Sequence, residues 1–163
     1  MGEAGVFQWL EATPLSVYIR QSRLLYPVIE IIHITGIVFL AGSAFLFDFR
    51  LLGISRKISV RDLAQHLLPW SRRSLFLLVI PSGLLLFITE ATAYSANSVF
   101  GLKLILILLA LANAGYFHLN TFQTVATWDD HKSTPGAAKA AGIISLVLWT
   151  SVITCGRLLA YFE

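Results

Sequence analysis

Apolar residues fall along this chain in long unbroken blocks, not in the alternation of a half-buried strand. Four blocks approach the roughly 20 residues that cross a bilayer as a helix: residues 24–47, 75–93, 102–122 and 140–162. Polar residues collect between them. The link from Asp48 to Arg73 holds six basic residues, the link from Ala93 to Gly101 no charge, and the link from Gln123 to Lys139 the polar turn WDDHKSTPG. Ahead of the first block, residues 5–12 suit a short interfacial helix with Trp9 at headgroup level. Thr13 and Pro14 then predict a helix start. That helix is expected to run through Arg20 and Arg23 into the first span, with Pro27 kinking it near the membrane surface. Trp70, Trp128 and Tyr161 suit interfacial belts. The expected architecture is all-α: a polytopic membrane four-helix bundle, one domain over residues 1–163, with a short N-terminal interfacial helix.

Composition supports this. Hydrophobic residues make up 56% and charged residues 13%, against about 25% charged in soluble domains. The net charge of +3 does not point to nucleic acid, because the basic residues concentrate in one link. Links one and three carry Arg50, Arg56, Lys57, Arg61, Arg72, Arg73, Lys132 and Lys139, while the opposite side has Arg20, Arg23, Lys103 and Arg157. The positive-inside rule therefore predicts that both termini lie outside. The single cysteine, Cys155, falls within the last block and reads as buried and inert. The N-terminus lacks a basic region followed by an apolar core, so no cleavable signal peptide is expected. Val6 stands where a myristoylation signal has Ser or Thr.

Ionisable groups inside spans cost about 2.5–3.5 kcal/mol each on insertion scales, so they tend to be paired or functional. Glu30 and His33 lie three apart in the first block, on one helix face, with Gly36 continuing that face. Asp48 and Arg50 follow at its end. In the third block Lys103, Ile107, Ala110, Ala114 and His118 form a stripe, which argues that this side faces the bundle interior. Asn113, at the stripe's edge, suits a hydrogen bond to a neighbouring helix. Pro81 and Gly83 are expected to kink or thin the second span. Two imidazoles inside such a bundle point to haem or a metal, since bundles build cofactor sites from facing helices. His33 and His118 are the candidate axial ligands. Arg50 and Lys103 are candidates for propionates or a quinone headgroup, and Glu30 for a hydrogen-bonding or proton-carrying role. A compact Glu30–His33–His118 metal site would need one common depth. Counted from Tyr26 and Lys103, His33 and His118 lie about 10 and 22 Å in, at ~1.5 Å per residue. Either the first span begins nearer Arg20, or the helices are shifted or tilted, or the two serve different sites, with His66 an alternative partner. His131, in the polar turn, reads as solvated.

The segments SRLLYPVIEIIHITGIVFLAGSAFLFDFRLLG and PSGLLLFITEATAYSANSVFGLKLILILLALANAGYFH resemble an uncharacterised bacterial family of small four-helix membrane proteins. More distantly they are similar to HemJ-type protoporphyrinogen oxidases and to the membrane domain of copper-resistance protein D. The HemJ likeness falls on His33, Gly42 and Arg50, and on Lys103, Leu104 and His118. It implies haem b near His33, although the spacing from Lys103 to His118 is about one turn longer than in that family. The expected protein is thus a bacterial inner-membrane, b-type cytochrome-like protein with periplasmic termini. It would hold haem b and transfer electrons to a redox partner protein or quinone, within a homo- or hetero-oligomer or alone. A HemJ-like porphyrinogen oxidase and an accessory or assembly subunit of a membrane complex are the rival expectations.

Overall fold

The computed structural model describes residues 3–55, 57–129 and 134–161. Among them every regular element is helical. Helices α1 (Glu3–Glu11) and α2 (Pro14–Gln21) precede the bundle. The Thr13 hydroxyl accepts the Ser16 N–H at 3.4 Å, and Pro14 fills the first helical position, where its missing N–H costs nothing. The chain turns extended at Ser22 (φ −83, ψ 122), so α2 does not run on into the first span as expected. Helix α3 (Leu25–Leu51) begins afresh. Pro27 falls in its first turn, among N–H groups that have no intrahelical partner, and so has no hydrogen bond to break.

Helix α3 outruns its predicted end and stops at a glycine. Gly53 takes φ 99, its N–H meets the Arg50 carbonyl at 3.1 Å, and the Ile54 N–H meets the Phe49 carbonyl at 3.0 Å. This is a Schellman closure, which needs a left-handed residue at that position.

The second span also starts early. Helix α4 (Val60–Ser74) continues through one π turn (Leu75–Val79) into α5 (Ile80–Thr89). Hydropathy alone misses α4 because only one face is apolar. Val60 and Ala64 are buried and Leu63, Leu67 and Leu68 pack on the core, while Arg61, Arg72 and Arg73 are exposed. The wide turn lies just ahead of Pro81, which has no N–H to complete the regular ladder. Helix α6 (Ala91–Ala96) follows a break at Glu90 (φ −141, ψ 41). Asn97 then caps α7 (Ser98–Leu119), accepting the Val99 N–H at 2.8 Å. A 3-10 segment (Thr121–Thr127) extends α7, and α8 (Gly136–Leu158) completes the bundle. Four helices are long and apolar enough to span a membrane: Leu25–Leu51, Val60–Thr89, Ser98–Thr127 and Gly136–Tyr161.

The spans pack in the order two, one, four, three. In lipid, close backbone approach replaces the hydrophobic driving force, and small residues stand where it happens. A Cβ on Gly36 would come within 2.8 Å of Leu78 Cβ, and one on Gly142 within 3.3 Å of the Asp48 carbonyl. Spans two and three make almost no direct helix contact. At the end where the chain starts they are bridged by α6 and by Phe87 stacked on Phe100 at 5.6 Å. At the opposite, basic end the 3-10 segment meets α4. The tightest core lies at that basic end, around Phe47, Leu51, Val60, Phe117 and Trp128. Trp128 is therefore a core residue, not a belt residue, with its indole N–H donated to Thr124 Oγ1 at 3.2 Å. Trp70 and Tyr161 are exposed.

Candidate functional site

The register between spans one and three comes from their aromatic contact. Phe47 and Phe117 meet edge to face at 5.7 Å, and Leu40 and Ala110, each one heptad earlier, line the same cavity. Level with His118 on α3 is therefore Asp48, and level with His33 on α7 is Lys103. His33 lies fifteen residues before Asp48, which is about 22 Å along the helix at 1.5 Å per residue. The structure does not bring His33 and His118 together. It places them at two separate polar levels.

At the upper level, nearer the termini, His33 faces span two. Its Nδ1 lies 2.9 Å from Ser82 Oγ, and the Val79 carbonyl is also within hydrogen-bond reach of the ring. The Ser82 hydroxyl donates its own proton to the Leu78 carbonyl in the π turn. With that proton committed, Ser82 can only accept from the imidazole, so the Nδ1–H tautomer is set and Nε2 carries the lone pair. Gly83 makes this approach possible, since a Cβ there would sit 3.0 Å from His33 Cε1. Lys103 lies within electrostatic reach of His33. Its Nζ turns into the bundle beside span four, 3.5 Å from where a Cβ on Gly156 would stand. No carboxylate among the described residues pairs with it. Glu30 is exposed and makes no hydrogen bond to His33.

At the lower level a cavity of about 630 Å³ opens among all four spans, within the range usual for ligand sites. Ala64, Ala110 and Ala114 leave the space. His118 lines it from α7, its ring held edge to face between Phe117 and Phe122. Neither of its ring nitrogens has a hydrogen-bond partner among the described residues. Asp48 lines it from α3. Asp48 is 5% exposed, Ser145 of α8 stands beside it, and its Oδ2 has no hydrogen-bond partner among the described residues. Asn113 donates to the Ala141 carbonyl at 3.0 Å, the inter-helix bond its position suggested.

The remaining candidates lie elsewhere. Arg50 is buried, but against Asp129 at 3.5 Å and the Ile58 carbonyl, not toward the cavity. Asp129 also accepts the N–H groups of Val60 at 2.7 Å and Arg61 at 3.0 Å and the Ser59 hydroxyl at 2.8 Å. It thereby caps α4 from a distant loop. Burial pushes its carboxyl up, but the Arg61 and Val60 N–H groups, Ser59 and Arg50 together hold it below the usual carboxylate range. His66 is exposed, its Nδ1 donating to the Asp62 carbonyl at 2.8 Å, and does not line the cavity. His131 lies outside the described residues. Among the described residues no group of three or more His, Cys, Asp or Glu could hold a metal ion, so Glu30, His33 and His118 form no compact metal site.

Sequence patterning missed Ser82, whose one signal is its place between Pro81 and Gly83 inside a span. It also missed the roles of Asp48 and Asp129, both of which depend on distant parts of the chain. No family model, curated protein or solved structure matches this chain. The class that fold and sites define is an all-α four-helix bundle, able to span a membrane, with polar groups at two interior levels.

Proposed function

We propose that this protein is a b-type cytochrome-like membrane protein that holds haem b at the upper level and passes electrons within a membrane redox system. One observation carries the reading: His33 is oriented as a metal-ligating imidazole would be. Ligating histidines donate their other ring N–H to a fixed acceptor, which sets tautomer and ring direction. Ser82 is that acceptor, itself anchored to the π turn. His33 Nε2 would be one nitrogen that holds the haem. Lys103, at the same depth on span three, would be a second nitrogen able to hold it. Bound haem would supply one-electron chemistry; the protein would supply orientation, apolar cover and the nitrogens that hold it.

The eight-to-four asymmetry of basic residues supports a bacterial inner-membrane protein with periplasmic termini, which reporter fusions test. The accessory-subunit reading draws on Asn113, whose bond to Ala141 only joins helices. A dithionite-reduced minus oxidised absorption spectrum separates the two. Sharp α and Soret bands that vanish in His33→Ala are expected. A preparation still colourless after expression with added haem overturns the proposal.

A further inference from the structure

The lower cavity is built for a ligand, and its polar groups restrict which one. Asp48 and His118 stand at one depth on two different walls, as the Phe47–Phe117 contact requires. Asp48 lines the cavity, and its buried Oδ2 has no hydrogen-bond partner among the described residues, a state that costs free energy. Held as a carboxylate, Asp48 can only accept, and each nitrogen of His118 can donate or accept. The ligand must therefore bring at least one hydrogen-bond donor. The rest of the lining is largely apolar, with the rings of Phe47, Phe117 and Phe122 beside His118, so a flat, uncharged body fits best. Arg72 reaches the lining from α4. An anionic headgroup would suit Arg72 but would then meet the Asp48 carboxylate. Entry from the bilayer is open, because spans two and three are not packed together between their bridged ends.

We propose that this cavity binds the ring of a lipid-soluble hydroquinone. One hydroxyl donates to the Asp48 carboxylate and the other donates to a ring nitrogen of His118. This is a binding site distinct from the His33 level and does not depend on haem being there. The oxidised quinone has no O–H to give to a carboxylate, so with Asp48 ionised in the occupied site the reduced form is favoured. Losing a hydrogen bond to a charged group corresponds to roughly a tenfold preference.

The test is calorimetric titration of the full chain in nanodiscs with a decyl-substituted benzohydroquinone, kept reduced, and separately with its quinone. Saturable binding at one site is expected, with the hydroquinone about tenfold tighter. Asp48→Asn keeps the shape but presents an amide that can also donate, so the preference should collapse toward equality. His118→Ala should weaken both forms, and Ala114→Phe should abolish binding by filling the space. Circular dichroism and a monodisperse elution profile establish that each variant is folded. Absence of saturable binding overturns the proposal. So does a redox preference that Asp48→Asn leaves unchanged. Loss of haem absorbance in His118→Ala would assign the cavity to the tetrapyrrole and also overturn it. A colourless protein that still binds the hydroquinone would leave this inference standing while removing the haem reading.

Discussion

His33 can hold its neutral proton on only one nitrogen, and Ser82 decides which. Without the Ser82 hydroxyl, the ring loses the acceptor that sets its tautomer and direction. Ser82→Ala should therefore weaken haem retention by about 10–100-fold, the usual cost of removing a group that orients a ligand. Haem titration of the apoprotein measures this, and Ser82→Thr should restore most of it. Asp129 acts at the same scale for stability. Its carboxyl is held below the usual range in the folded state, so its contribution is fully present above the unfolded value near ~3.9. It is lost as pH falls through the depressed folded value. Asp129→Asn should flatten that acid limb in a thermal-melt series. Asp129→Ala should cost about 3 kcal/mol at neutral pH, because it leaves the buried Arg50 unpaired.

At the scale of elements, glycine placement controls how closely helices approach. Gly36 faces Leu78, Val79 and the Val79 backbone nitrogen, the last 3.2 Å from where an added methyl would stand. Ser74 donates to the Gly36 carbonyl at 2.6 Å. Gly36→Ala must push α3 away from the π turn, and the backbone there cannot swing aside as a side chain would. A loss of about 1–3 kcal/mol is expected, as for overpacking, measurable by unfolding in mild detergent. The π turn itself was hidden in the sequence: Pro81 announced a disturbance, but a kink, a thinning and a wide turn all answer the same missing N–H. Helix α4 was hidden for a different reason. Its apolar residues form only a stripe, and averaging over all faces made it read as a loop.

At the scale of the whole molecule, the spacing of the two polar levels separates the roles of the two histidines. One iron cannot accept nitrogens about 22 Å apart in depth. His118→Ala should therefore leave the haem spectrum unchanged, whereas His33→Ala should abolish it. Absorption spectra of the two variants, recorded oxidised and reduced, check both outcomes. The all-α four-helix design was legible in the sequence because long apolar blocks have few other solutions in lipid, where backbone groups must be satisfied within the helix. The inward stripe of Ala110, Ala114 and His118 was legible in its periodicity, whereas Glu30, placed on one face with His33, is exposed. Depth was not legible. Where each span begins or stops depends on caps such as Gly53, Asp129 and Asn97, and on how an aromatic pair such as Phe47 and Phe117 locks two helices in register. Partnership was not legible either: Arg50 meets Asp129 and His33 meets Ser82 across 79 and 49 residues. Periodicity along one helix shows which face a side chain occupies. Only the packing of helices against one another decides what stands opposite it.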